Sequence, residues 1–240
     1  MAPSHSLSWR PRWLWLIATS LLALIVLDLA QVALRVASYP SFLSWPGAYG
    51  YLAEAVAALA GYALIIVALL ALASRVRVAW NALRVGCVIG LVGGCLEIVG
   101  IAAESLLALP RTATSAVTLA AMLTLFLLFA LAGFIDAWRE RVVWRGAVAA
   151  VWSAMVAITI TVTFGFLLMS LALPTLARGM ASDPEFVRSG WADPQAFAIA
   201  NTLDAGFTHL TEAPIIAAVV GSLGAGLARF AARRYDAARA

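Results

Sequence analysis

Lysine is absent from this sequence, and charged residues of every kind are scarce. Only 12% of the 240 residues are charged and 64% are hydrophobic, whereas a soluble domain is about a quarter charged and half apolar. The composition therefore excludes a soluble globular protein and predicts an integral membrane protein in contact with the lipid bilayer. The net charge of +4 does not indicate nucleic-acid binding, because the arginines lie at predicted helix ends, where membrane topology accounts for them.

Cysteine and histidine are also scarce, with two residues of each. Cys87 and Cys95 lie about 12 Å apart along one apolar helix, which is too far for a disulfide, so we interpret them as packing residues. Only one histidine, His209, falls within an apolar segment, which excludes a bis-histidine haem. The HExxH, GxSxG and P-loop signatures are absent. We therefore expect no cofactor and no enzyme activity, although a zinc site formed by His209, Glu212 and Glu97 stays open.

Six apolar segments reach the length of about 20 residues that crosses a bilayer. They lie near 13–37, 49–73, 79–108, 112–135, 146–174 and 200–228. We expect a single all-α domain, residues 1–240, that forms a bundle of six transmembrane helices. Twelve arginines lie at one set of segment ends and four at the other, which places both termini in the cytoplasm by the positive-inside rule. In a bacterium, the protein would belong in the cytoplasmic (inner) membrane.

One connection is long, the outer loop at 175–199. Ser182 or Asp183 before Pro184 predicts a helix start, and Asp193 before Pro194 predicts another. We therefore expect a short surface helix in this loop, followed by the sixth segment. The loop is either a connector that rests on the membrane interface or a cap over a site that opens outward.

The third segment carries glycines and carboxylates on one helical stripe, at steps of three and four residues. The residues on this stripe are Gly86, Gly90, Gly93, Glu97, Gly100 and Glu104. Glycines in a membrane helix allow a neighbouring backbone to come close. We therefore expect this helix to be central, with the small-residue face of the second segment packed on its glycine seam. A homodimer through Gly86, Gly90 and Gly94 is the alternative.

Acidic residues lie inside the predicted spans without a basic residue at the same depth. By residue count, three are near the midplane, namely Asp28, Glu97 and Glu212, and three are nearer the outer face, namely Glu54, Glu104 and Asp204. Only Arg35 reaches the outer layer, where its candidate partner is Glu104 or the lipid interface. Charges at the midplane are costly, so these carboxylates must be protonated, hydrated or occupied by a cation.

The sixth segment places His209 and Glu212 on one helix face, just before Pro214. Proline removes an N–H group and crowds the carbonyl of Leu210, so we expect the helix to bend there. The predicted site for a proton or cation consists of Glu97, Glu212, His209 and Asp28, below an outer vestibule of Glu54, Glu104 and Asp204. The second, third and sixth segments would surround this site, with the first segment beside them.

These features favour a small permease or channel-like protein that uses the buried site for a proton or cation. One alternative is a non-catalytic membrane subunit or scaffold, with a hydrogen bond between Glu212 and His209 that only fixes helix packing. Another is a lipid- or quinone-binding membrane protein. The ligand would be a small ion or molecule, and a homo-oligomer or a partner membrane subunit stays open.

Overall fold

The computed structural model describes residues 12–75, 79–107, 110–181 and 183–239. Within these ranges the elements are α1 (Arg12–Ser38), a 3₁₀ turn (Pro40–Ser44), α2 (Ala48–Arg75), α3 (Ala79–Leu106), α4 (Arg111–Glu140), α5 (Val143–Met180), α6 (Pro184–Ser189) and α7 (Pro194–Ala237). Among the described residues, six helices are long and apolar enough to cross a bilayer, all except α6. The prediction of an all-α fold with six transmembrane helices is confirmed, and the chain is a multi-pass membrane protein.

The bundle has two ends, which we name the terminal face and the loop face. The terminal face is the side where α1 begins and α7 ends, and the loop face is the side of the 3₁₀ turn and α6. The arginine distribution predicts that the terminal face is cytoplasmic.

The loop between α5 and α7 is shorter than predicted, because both flanking helices are longer. α5 continues through Pro174 to Met180, and α7 already begins at Pro194, so the connection covers 181–193 instead of 175–199. Asp183 caps α6 by accepting a hydrogen bond from the Glu185 N–H at 2.7 Å. Asp193 caps α7 in the same way. Both helix starts are confirmed, whereas Ser182 lies outside the described residues.

The central helix of the bundle is α5, and the prediction that α3 is central is wrong. α5 packs against α1, α3, α4 and α7. Every residue from 152 to 159 is buried, and this stretch includes the small residues Ser153, Ala154 and Ala157. Small side chains let several neighbours approach one helix closely, which explains why α5 can occupy the centre.

The glycines of α3 bring it against α5, not against α2. A Cβ atom added at Gly86 or Gly90 would lie less than 3.0 Å from the carbonyl oxygens of Ala149 and Ser153, respectively. A Cβ added at Gly94, one turn further along α3, would lie 3.1 Å from the Ala157 carbonyl oxygen of α5. Because α5 occupies this seam, the Gly86, Gly90 and Gly94 motif serves internal packing and not a homodimer.

The remaining stripe residues face a different helix. A Cβ added at Gly93 would lie 3.0 Å from the Leu125 side chain, and one added at Gly100 would lie 3.7 Å from Ala121. Leu125 and Ala121 are residues of α4. The predicted single seam therefore splits between α5 and α4. The expected partner, α2, packs mainly on α7 instead, and Gly61 on its small-residue face has no neighbour within 4 Å.

A second set of glycines closes the terminal face. We name this set the glycine junction, and it consists of Gly133 on α4, Gly146 on α5, and Gly221 and Gly224 on α7. An added Cβ at any of the four would lie less than 3.0 Å from an atom of a neighbouring helix. Cys87 is also buried, as expected for a packing residue, whereas Cys95 is exposed.

α1 packs on α5 through polar groups. The Thr163 hydroxyl donates to the Asp28 carboxylate at 3.0 Å, and the Arg35 guanidinium donates to the Ser170 carbonyl. Both pairs are separated by 135 residues, so the two helices run parallel in constant register. The expected pairing of Arg35 with Glu104 is wrong, because Arg35 bonds to α5.

The Arg35 bond compensates for a proline. Pro174 has no N–H group, so it cannot donate to the carbonyl four residues earlier, which is that of Ser170. Ala172 leaves helical geometry at this point, with φ −126° and ψ 21°. The guanidinium of Arg35 supplies the donor that Pro174 lacks, and α5 continues beyond the break.

We predict that Arg35→Met lowers the melting temperature of the purified protein, because the Ser170 carbonyl then has no donor. A buried carbonyl without a donor costs about 1–3 kcal/mol. In a Pro174→Ala background the backbone N–H is restored, so the same Arg35 substitution costs clearly less. Thermal melts of the four proteins in this double-mutant cycle measure the difference. Equal costs in both backgrounds would contradict the compensation.

The glycine junction generates a second stability prediction. Gly224→Ala places a methyl group against the Ala130 backbone, and overpacking of this kind costs about 1–3 kcal/mol. Gly226 is the matched control, because it lies on the same helix and an added Cβ has no neighbour within 4 Å. Thermal melts should show a lower midpoint for Gly224→Ala and an unchanged or higher one for Gly226→Ala. The same loss in both variants would refute the junction.

Candidate functional site

A cavity of about 570 Å³ lies in the loop-face half of the bundle. Residues of α3, α4, α5 and α7 form its walls. Nearer the terminal face, Gly86 and Gly90 of α3 and Gly221 of α7 bring these helices against α5. The ionisable residues of the lining are Glu97, Glu104, His209 and Glu212.

The structure brings together four of the seven ionisable residues singled out in the sequence. Glu97 and Glu104 line the cavity from α3, and His209 and Glu212 line it from α7. The other three do not line it. They are Asp28, which is buried against α5, and Glu54 and Asp204, which are exposed outside the cavity.

The helices around the cavity differ from those expected. α4 and α5 form walls, whereas α1 and α2 contribute no lining residue among the described positions. The prediction of a site between the second, third and sixth segments, with the first beside them, is therefore wrong in two of its helices. The physical reason is the central position of α5, since Asp28 packs on α5 through Thr163.

Two of the four cavity residues have hydrogen-bond partners in the protein. The Thr118 hydroxyl of α4 donates to the Glu104 carboxylate. The Nδ1 atom of His209 lies 2.7 Å from the carbonyl oxygen of Ala205. Because a carbonyl oxygen only accepts, Nδ1 carries the proton, and Nε2 is left as the acceptor of the neutral ring.

Glu97 and Glu212 have no such partner. Within the described residues, neither carboxylate makes a hydrogen bond or an ion pair with the protein. The alternative in which Glu212 bonds to His209 is therefore not what the structure shows. These two carboxylates contribute no bond between helices, although they line the same cavity.

Pro214 does not interrupt the helix that carries His209 and Glu212. α7 is one continuous α-helix from Pro194 to Ala237, with Pro214 inside it. The break in helical backbone geometry falls instead at Ala172 of α5. Pro214 still leaves the Leu210 carbonyl without its usual backbone donor, one turn from the cavity residues.

The cavity is not built for a metal ion. In the described part of the chain, no three histidine, cysteine, aspartate or glutamate side chains are close enough to hold a metal ion together. The zinc site considered for His209, Glu212 and Glu97 is therefore wrong. These three residues line one cavity, but their arrangement does not form a group that could hold one metal ion.

Sequence reasoning missed the polar lining contributed by α4, α5 and the start of α7. These residues include Thr118, Thr161, Asn201 and Thr202. Thr161 also donates to the carbonyl of Ala157 at 2.9 Å, as threonines in membrane helices commonly do. Asn201, an amide within an apolar helix, was the clearest available signal.

A buried ionic cluster at the terminal face was also missed. Arg145 and Asp136 are both 1% exposed, and Arg145 Nη1 lies 2.8 Å from Glu140 Oε2. Asn81 of α3 donates to the same Glu140 at 3.3 Å, so the cluster joins α3, α4 and α5. Arg145 was counted as a topology signal at a segment end, but it is buried inside the bundle.

The loop from 181 to 193 does not cover the cavity. None of its described residues lines the cavity. Trp191 stacks on Trp45 of the α1–α2 connection, with ring centroids 5.2 Å apart, and the Tyr39 hydroxyl donates to Asp193. These contacts favour the interpretation of the loop as a connector.

Comparison with known proteins adds no assignment, because no family model, curated protein or solved structure matches the chain.

The Tyr39–Asp193 bond generates a prediction about pH. The bond to the Asp193 carboxylate raises the pKa of Tyr39 above its ordinary value. Because the pKa of Tyr39 is higher in the folded state, its protonated hydroxyl stabilises the fold at pH values below the unfolded-state pKa of about 10. This stabilisation is lost as the pH rises through the folded-state pKa. Tyr39→Phe should therefore lower the melting temperature at pH 8, and the difference from the wild type should shrink at higher pH.

Thermal melts between pH 7 and pH 11.5 measure this effect. Tyr49→Phe is the control, because Tyr49 is 67% exposed and its substitution should change little at any pH. A constant difference between Tyr39→Phe and the wild type across this range would contradict the prediction.

Proposed function

We propose that the protein is a small permease or channel-like protein that takes a cation or proton into the cavity between α3, α4, α5 and α7. The observation that carries this proposal is the state of Glu97 and Glu212. Both line the cavity, and within the described residues neither has a hydrogen-bond or ion-pair partner. No catalytic step is part of the proposal.

The charges of the cavity support a positive occupant. Among the described residues, its lining contains three glutamates and one histidine but no arginine. An unpaired carboxylate away from bulk water is costly until a proton or cation neutralises it. Glu97 and Glu212 are then the ligands or proton carriers, and His209 is their partner in the cavity lining.

The alternative of a scaffold accounts poorly for these two residues. Other residues make the polar bonds between helices. These bonds join Thr163 to Asp28, Arg35 to the Ser170 carbonyl, and Arg145 to Glu140. Those bonds suffice to fix helix positions, so Glu97 and Glu212 are free for a ligand. The lipid- or quinone-binding alternative is favoured by the apolar part of the lining, and analysis of co-purified lipid tests it.

The two ends of the bundle favour a gated carrier over an open pore. The terminal face is closed by the glycine junction and by the buried Arg145 cluster, whereas the cavity lies towards the loop face. If the arginine distribution gives the orientation, the cavity faces outward. Glu104 at the cavity wall then attracts cations from outside. For a bacterium, we propose the cytoplasmic membrane as the location.

Flux into proteoliposomes tests the proposal. Under an imposed pH gradient or membrane potential, Glu97→Gln and Glu212→Gln should each lower the flux at least tenfold, because the neutral amide cannot carry a proton or hold a cation. Their melting temperatures should stay near that of the wild type, since neither carboxylate bonds to the fold.

Asp204→Asn is the matched control on α7, because Asp204 is exposed and does not line the cavity. It should retain most of the flux. Wild-type flux in both glutamate variants, or a loss of stability without loss of flux, would reject the permease in favour of a scaffold.

A further inference from the structure

We infer that the cation taken by this cavity is an amphiphilic organic cation, a single positive charge on a bulky apolar body. This inference rests on the proposed function and names its class of substrate. It combines three properties of the cavity, namely its volume, the placement of its carboxylates on two helices without a metal site, and the apolar part of its wall.

The volume exceeds what an inorganic ion occupies. The cavity measures about 570 Å³, whereas one water molecule in the liquid takes about 30 Å³. Pockets of roughly 300–1,000 Å³ are typical for organic ligands of drug-like size. A bare ion would leave most of the space to be filled by something else.

The carboxylates come from different helices and do not form a metal site. Glu97 lies on α3 and Glu212 on α7, and the described residues contain no group of three side chains that could hold a metal ion. A dehydrated divalent cation needs several oxygen ligands at about 2.0–2.6 Å. Carboxylates on two helices can instead attract the diffuse charge of a larger body without direct coordination.

Much of the remaining wall is apolar. Phe166, Leu168 and Leu176 of α5 and Met122 of α4 line the cavity together with the charged residues. Apolar side chains give a hydrated inorganic ion no binding partner, but they stabilise an apolar ligand body by burial. Methionine is flexible and adapts to ligands of different shape. Among the described residues the lining contains no arginine, so an anion of the same size is disfavoured.

A matched pair of probes separates charge from shape. Tetraphenylphosphonium and tetraphenylborate have nearly the same size and apolar surface but opposite charge. Equilibrium binding of each probe to the full chain in lipid nanodiscs, corrected with empty nanodiscs, should show saturable binding of tetraphenylphosphonium only. Glu97→Gln and Glu212→Gln should each weaken this binding at least tenfold, and Asp204→Asn should leave it unchanged.

A cavity-filling variant tests the size of the ligand. Gly165 lines the cavity, and a Cβ added there has no neighbour within 4 Å. Gly165→Leu should therefore keep the fold, judged by its melting temperature, and abolish tetraphenylphosphonium binding.

The outcomes separate this inference from the proposed function. Equal binding of tetraphenylborate, or tetraphenylphosphonium binding that ignores both glutamate substitutions, would overturn the organic-cation class. If tetraphenylphosphonium does not bind but flux still depends on Glu97, the class is wrong and the permease stands. Glutamate-dependent binding without any flux would support the class and reject the permease.

Discussion

The whole bundle depends on backbone-to-backbone contact with α5. In a bilayer the lipid tails are as apolar as leucine, so helices associate through close packing and polar bonds and not through hydrophobic burial. Gly86 and Gly90 bring α3 onto carbonyl groups of α5, and Gly221 brings α7 against Ala150. Gly221 and Gly224 of α7 lie nearer the terminal face, whereas Gly206 packs on Phe166 beside the cavity. The cavity lies between α3, α4, α5 and α7 in the loop-face half.

Polar groups in this protein fall into two sets with different physical roles. One set is paired and holds helices together, as Arg35 does at the carbonyl that Pro174 leaves without a donor. The other set lines the cavity, and its two glutamates, Glu97 and Glu212, bond to nothing in the described part of the chain. A carboxylate within a membrane-spanning helix that does not stabilise the fold is costly to retain, which is the strongest argument for a ligand.

Local features of the sequence predicted the spans and the residues of α3 and α7 that share the cavity. Apolar length defines a span, and helical spacing shows which residues share a face. Neither reveals which helix lies opposite. Gly86 and Gly90 indicate that a neighbouring helix comes close, but any helix with small residues can be that neighbour. The sequence therefore predicts α2 at a position that α5 occupies in the structure.

The partners of charged residues were equally hidden from local reasoning. Arg35 bonds to the backbone carbonyl of Ser170. The only sign in the sequence that this carbonyl lacks a donor is Pro174, four residues later. Arg145 lies at a segment end, where topology already explained an arginine, and only the fold shows that it is buried with Asp136. Long-range pairing of this kind depends on how whole helices are arranged.

The polar face of α1 has a consequence for the order of synthesis. Asp28 and Arg35 bond to residues 135 positions later in the chain. At about 5–20 residues per second, translation needs on the order of ten seconds to supply them. During this time the first helix holds a carboxylate and a guanidinium without their native partners. The nascent chain must keep α1 beside protein or water, and not in free lipid, until the fifth transmembrane helix emerges from the ribosome.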